Sequence, residues 1–340
     1  MAEIRQQPTA LIYGIYMAAS PHFTEAQTPS LSGKVFIVTG GNSGVGFELA
    51  KILYSKGGSV YVAGRSAAKI ATAIEEIKKE TAQADSSTVG QLHCLTLDLG
   101  DLSTIAPCVS TFLAKESRLD VLFNNAGVSR QPAGSVTTEG HEIHMGTNCL
   151  GPYLLTKLLL PTLAKTAKSA PKNSVRVVFA SSGIIDLAGP PGGVSFAELE
   201  TGKHSGDVNR NYSSSKAGNW FLASEFDRRY AKEGIVAVVQ SPGALRTPGW
   251  NGTPWLTRAI MAPIFHPPKM GAYTELWAGL SPDIKSGDGQ KYIIPWGRWN
   301  TTPKKEHLAS LKSEEEGGTG LAAEFFDYYE AQTQSFAYKH

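Results

Sequence analysis

Six short, almost wholly apolar runs recur between helical stretches of this 340-residue chain, and that alternation restricts the fold more than any other feature. The runs fall at 34–39, 59–63, 91–97, 119–123, 174–180 and 235–240. Helical periodicity fills the gaps over 45–55, 66–81, 101–116, 138–167 and 211–232. Strands apolar on both faces must be covered on both faces, so the pattern predicts a parallel sheet with helices on each side. Right-handed crossovers then wind it both ways from the first strand. The expectation is one α/β domain in three layers, α/β/α: a doubly wound parallel sheet of six or seven strands, the seventh at 290–294. Its core spans 31–300, with loop insertions at 183–209 and 247–269 and extensions at 1–30 and 301–340.

Composition excludes several classes. No segment reaches the roughly 18 consecutive apolar residues of a membrane span. The net charge of +2, with no basic stripe, gives nucleic acid nothing to hold, so none is expected as a partner. Cys94, Cys108 and Cys149 are odd in number and lack C-x-x-C spacing. They are expected as small buried side chains in a reducing, cytoplasmic compartment. His141, His144 and His204 show no metal-ligand spacing, and no metal is expected. The apolar run at 9–20 has signal-peptide length but little positive charge before it. Leu11, Ile12, Ile15 and Tyr16 would share a helical face that packs on the domain rather than on a membrane. Near the C-terminus, Glu314, Glu315 and Glu316 precede Phe325, Phe326, Tyr328 and Tyr329, the pattern of a solvated segment followed by a helix docked through its aromatic face.

The stretch 35–46, VFIVTGGNSGVG, ends the first strand in Gly40, Asn42, Ser43, Gly44, Val45 and Gly46. Glycines let the backbone turn sharply and let a phosphate approach bare N–H groups at a helix N-terminus. By itself this spacing fits a dinucleotide site and a plain tight turn equally well. After the second strand comes Gly64-Arg65-Ser66, with no acid to bind ribose hydroxyls. Arg65 offers a planar set of donors for a 2′-phosphate, which favours NADP(H) over NAD. Asp98, followed by Leu99, either accepts from the adenine amino group or caps the helix near Asp101. Tyr212 and Lys216 lie four apart on one helix face, where the ammonium stabilises phenolate and makes the tyrosine a candidate proton donor.

Further residues accompany this pair. Asn124-Asn125-Ala126-Gly127 follows the fourth strand, Asn148 lies in the long helix, and Ser181-Ser182 ends the fifth strand. Pro242-Gly243-Ala244-Leu245-Arg246-Thr247 follows the sixth. With these motifs in this order the chain resembles the short-chain dehydrogenase/reductase family over 32–294. The resemblance implies a Rossmann fold and hydride transfer by a nicotinamide cofactor. It implies that Tyr212 is the general acid or base, that Lys216 lowers its pKa and bonds the nicotinamide ribose, and that Ser182, rather than Ser181, polarises the substrate carbonyl. Asn148 would hold a water relaying protons through Lys216. Asn125, Ala126 and Gly127 would line the adenine ribose, and Pro242, Gly243 and Thr247 would hold the nicotinamide end.

The long insertion and the terminal extensions resemble retinol-dehydrogenase-like members and fungal secondary-metabolism reductases. Trp250, Trp255, Leu256, Ile260 and Phe265 follow Thr247 and point to a bulky apolar or aromatic substrate. The expectation is an NADP(H)-dependent oxidoreductase that reduces a ketone or aldehyde of such a substrate, or oxidises the alcohol. A non-catalytic NADP(H)-binding sensor and a membrane-surface retinoid or sterol dehydrogenase stand as alternatives. Homo-oligomerisation is left open.

Overall fold

The structure, a computed structural model, describes residues 20–82, 89–200, 202–246 and 265–337. The expectations for the helical face at 11–16, Thr247, Trp250, Trp255, Leu256 and Ile260 lie outside the described residues.

In chain order the elements are β1 (Val35–Thr39), α1 (Gly44–Ser55), β2 (Ser59–Gly64), α2 (Ala67–Glu80), β3 (Gln91–Thr96), α3 (Ile105–Leu113) and β4 (Val121–Asn124). Then come α4 (143–167), β5 (Val175–Ala180), α5 (Val208–Tyr230), β6 (Ile235–Gln240), α6 (Pro268–Leu280), β7 (Tyr292–Ile294), β8 (Arg298–Trp299), α7 (Lys305–Leu311) and α8 (Leu321–Ala337). One sheet runs β3-β2-β1-β4-β5-β6-β7-β8, the doubly wound order, with every neighbouring pair parallel except β7 and β8. Among the described residues the sheet therefore has eight strands, not six or seven. The extra strand is a two-residue antiparallel edge reached through a turn at Gly297, where φ is +81°, and two residues carry no periodicity to read.

Every residue of β1, β4, β5 and β6 is buried. Their alternation splits the core into two layers. Ile37, Leu122, Val177 and Val239 face one side with α4 and α5, while Val38, Phe123, Val178 and Val238 face the other with α1 and α6. The strands end in register, with Ala180 opposite Gln240 and Asn124 opposite Phe179, so the loops after β1, β4, β5 and β6 meet at one edge.

Three local expectations need correction. Cys94 is exposed, unlike the buried Cys108 and Cys149, because β3 is the edge strand and only its Leu95 is fully buried. The long helix begins at Ile143 rather than 138, since Gly140 turns with φ +85° and Glu142 caps the new helix by accepting from the backbone N–H groups of His144 and Met145. That helix is also interrupted. A turn at Ile143–Met145 and the regular Gly151–Ala167 flank a π-turn, Gly146–Leu150.

The last helix, α8, lies across α4 and α5. Phe325, Phe326 and Tyr329 are buried there, with Phe326 edge-on to Tyr153 at 5.0 Å and Phe325 edge-on to Phe221 at 5.8 Å. Gly218 makes the approach to α5 feasible, because a Cβ on it would stand 2.8 Å from Phe325 Cζ. Each buried ring contributes on the order of 1.5–3 kcal/mol, so this docking outweighs the half-exposed ion pairs Lys157–Glu330 and Arg229–Asp327 at its rim. Among the described residues no helix is long and apolar enough to cross a membrane, and no cluster of three His, Cys, Asp or Glu side chains could hold a metal.

Candidate active site

At the end of β1 the chain turns through Gly40 and Gly44, with φ of +66° and +58°, backbone that favours glycine. A Cβ on Gly46 would stand 2.6 Å from both Gly40 O and Asn125 Nδ2, so only glycine lets α1 start directly against the turn. Asn125 Nδ2 donates to Thr39 O at 2.8 Å and Ala126 N to Thr39 Oγ1 at 2.9 Å, which ties the loop after β4 to β1. Asn42 Oδ1 fills the space beside Gly64.

The first turn of α1 has neither a capping side chain from Ser43 nor an acidic residue. Its backbone N–H groups are therefore available to an anion, and a dinucleotide pyrophosphate fits this cradle. Arg65 is exposed after β2, with no ion-pair partner among the described residues. Asp98 does not cap the following turn. It accepts from Gly100 N at 2.9 Å, and Asp101 takes the cap by accepting from Ser103 N at 3.0 Å. Leu99 is buried in the core, so only its backbone can face a ligand.

Two strands along, α5 brings Tyr212, Lys216 and Asn219 to the end of β5. Lys216 is buried, and its Nζ donates to Ala180 O at 3.0 Å, an oxygen that also accepts from Asn219 Nδ2 at 2.8 Å. Nζ lies 5.7 Å from the centre of the Tyr212 ring. Burial pulls the Lys216 ammonium down to about 8, against weaker opposing fields from Cys149 and Glu275. A charged lysine held by one carbonyl in the interior costs stability and favours any anion formed beside it.

Gly127 leaves room for this arrangement, since a Cβ there would stand 3.1 Å from both Lys216 Nζ and Asn148 Oδ1. Asn148 sits in the π-turn. Its amide donates to Val128 O at 3.0 Å and to Ser215 Oγ at 2.9 Å, and its Oδ1 accepts from Val128 N at 2.7 Å. Both donors are thus taken, and the side chain acts as a latch between the β4 loop and α5. A water at this residue has the second lone pair of Oδ1 or the main-chain carbonyl to bind.

The two serines after β5 differ in kind. Ser181 is buried, donates to Lys216 O at 2.8 Å and accepts from Tyr292 OH at 2.9 Å, so its hydroxyl is spent on joining β5, α5 and β7. Ser182 is half-buried, and among the described residues its hydroxyl makes a single bond, a long 3.4 Å acceptance from Ile184 N. Of the two, only the Ser182 hydroxyl has no acceptor among the described residues. Tyr212 is half-buried and stands edge-on to His144 at 5.9 Å. His144 is itself fixed by a 2.7 Å bond from Nδ1 to Glu142. Pro242 and Gly243 follow β6 at the same edge, where Gly243, with φ +91°, packs on Pro295 and Trp296.

Ser215 and Asn219 escaped the sequence reading, though Asn219 shares a helix face with Lys216, three residues away. Glu275 and Gln240 escaped it as well; the lone acid within the apolar stretch of α6 was a usable signal.

A family model described as short chain dehydrogenase matches residues 34–194. Short-chain dehydrogenase/reductase iacJ of Pestalotiopsis fici is 45% identical over 314 residues, covering 92% of this chain and 94% of that one. The chain belongs to the short-chain dehydrogenase/reductase family. It is an oxidoreductase of that family. Among solved structures, a protein from Mycobacterium paratuberculosis is 26% identical with a TM-score of 0.64, over 92% of this chain and 97% of that one. Pseudomonas aeruginosa RhlG, described as an NADP active-site complex, shares the fold at 23% identity and a TM-score of 0.59, over 81% and 97% of the two chains.

The division of labour between the serines is testable in this dehydrogenase/reductase. Ser181→Ala removes a buried hydroxyl that bonds both Lys216 O and Tyr292 OH and is expected to lower unfolding free energy by about 1–3 kcal/mol, whereas Ser182→Ala changes it by less than about 0.5 kcal/mol. Urea denaturation of the two variants measures this, and equal stabilities would refute the assignment.

Proposed function

We propose that this family member reduces a ketone or aldehyde on a bulky apolar or aromatic substrate, using NADPH. The observation that carries the reading is Lys216 Nζ, 5.7 Å from the Tyr212 ring and bonded to Ala180 O two residues before Ser182, at the carboxyl edge of the sheet, two strands from a glycine turn whose helix N-terminus is open to an anion. When bound, the dinucleotide supplies the hydride.

The chain's own residues handle the oxygen and the proton. Ser182 Oγ–H donates to the carbonyl oxygen and draws charge onto it. Tyr212 gives its phenolic proton to that oxygen as the alcohol forms, and the nearby Lys216 ammonium lowers the cost of the phenolate left behind. Asn148 latches the β4 loop to α5, Gly127 leaves the Lys216 ammonium its space, and Ala180 O holds it. Arg65, exposed and unpaired among the described residues, suits the 2′-phosphate that distinguishes NADPH from NADH.

The substrate preference is supported on the other side of Tyr212. The turn Gly183–Asp186, opened by Ser182, ends beside Leu187, whose side chain is 62% exposed. Leu187 offers a ligand one apolar contact five residues after Ser182. The insertion that carries Leu187 is braced by α8, where Tyr328 OH donates to Leu199 O at 3.4 Å and the Tyr328 ring stands edge-on to Phe196. This holds the insertion against the chain's last helix.

Replacing Tyr212 with Phe is expected to lower turnover of a bulky ketone by about 10²–10⁴-fold, with NADPH still binding in a fluorescence titration. Normal turnover in that variant removes Tyr212 as proton donor. Arg65→Ala is expected to weaken NADPH by roughly 10–100-fold, the value of one charge-assisted contact, and NADH far less. Equal losses of the two cofactors in the same titration exclude Arg65 from the site.

A further inference from the structure

Beneath the same sheet edge, on the face opposite α5, α6 buries the carboxyl of Glu275, which is 1% exposed. Gln240, the last residue of β6 and wholly buried, donates from Nε2 to Glu275 Oε1 at 3.1 Å. The remaining oxygens of the pair, Glu275 Oε2 and Gln240 Oε1, are both buried and both lack a hydrogen-bond partner among the described residues. Two orphaned acceptors on groups already joined to each other are an electrostatic conflict, and each orphan costs about 1–3 kcal/mol. One proton removes the conflict. A neutral carboxylic acid and a primary amide are complementary at both positions: N–H to carboxyl oxygen, and O–H to amide oxygen.

We infer that Glu275 carries its proton and forms a closed two-bond ring with Gln240, Oε2–H donating to Gln240 Oε1. The surroundings agree. Burial pushes the Glu275 carboxyl up to about 8, with Lys216 on α5 the charged group opposing it. Cations and acids on the other packed elements are engaged elsewhere. Arg176 of β5 donates to Ala278 O and Ser281 O, Lys51 of α1 pairs with Glu48 and Glu80, and Lys269 and Tyr273 of α6 bond Glu25. Tyr292 of β7 donates to Ser181.

The ring has a consequence for the site. A carboxylate here would be a buried counter-charge for Lys216, whereas the neutral acid leaves the ammonium uncompensated beside Tyr212. Glu275 thus acts on Lys216 through its charge alone, and only once it ionises. The protonation stands without the catalytic reading; the effect on catalysis rests on it.

Thermal melts of wild type and Glu275→Gln from about pH 5 to about pH 9 test the ring without any turnover. Glutamine can close the same ring with its amide but cannot ionise. A folded-state pKa near 8 lies above the ordinary 4.5, so across that window the folded chain holds more protons than the unfolded one and stability falls as pH rises. The variant lacks this slope. Its melting temperature relative to wild type is expected to gain a few degrees between about pH 5 and 8 and then hold. A difference, variant minus wild type, that stays flat or falls over that range overturns the ring. So does an infrared difference spectrum at neutral pH that shows no un-ionised carboxylic acid band lost in the variant. In kinetics, the alkaline arm of kcat/KM is expected at lower pH in Glu275→Gln, because Lys216 loses the carboxylate that would stabilise its charge. Coincident arms contradict the link to Lys216.

Discussion

The Lys216 ammonium sits inside the protein on one main-chain carbonyl, Ala180 O. Placing an ammonium there is expensive, and nearly everything around the site either makes room for it or keeps compensation away. Gly127 supplies the space, the Asn148 latch sets the β4 loop against α5, and Ser181 ties the Lys216 carbonyl to β5 and β7. With the Glu275–Gln240 ring neutral, no carboxylate quenches the charge. The same cation that is unfavourable for folding is what makes a phenolate at Tyr212 accessible on the proposed chemistry.

Such a site needs a rigid frame, and the frame comes from both ends of the chain's logic. The sheet delivers four strand ends to one edge. The tail then returns as α8 to clamp the two helices that carry Asn148, Tyr212 and Lys216. Tyr329 OH donates to Met145 O at the start of the π-turn, and Phe325 rests on Gly218, two residues beyond Lys216. The aromatic burial in this clamp offsets part of what the buried ammonium costs.

Much of this was legible in the residues. Parallel strands buried on both faces read as unbroken apolar runs, which is why β1, β2, β4, β5 and β6 and their winding could be anticipated. β8 could not, because two residues at a sheet edge have no period. The start of α4 was misplaced because its cap is a glutamate, a residue that ordinarily reads as helix interior. The glycine turn and the Tyr212–Lys216 spacing were visible because the chemistry demands those residue types. What Ser181 does was not visible, since its partners lie 35 and 111 residues away and adjacent serines look alike. The same distance hid Gln240 from Glu275, which is 35 residues on.

The proposed reductase function requires that hydride move at this site. NADPH carrying deuterium at the transferable nicotinamide position, incubated with the protein and a panel of bulky aromatic ketones, addresses that directly. Mass spectrometry should find one deuterium on the carbinol carbon of at least one product. If the protein binds the cofactor yet transfers label to no ketone or aldehyde across a broad panel, the site is a binding site and not a reductase.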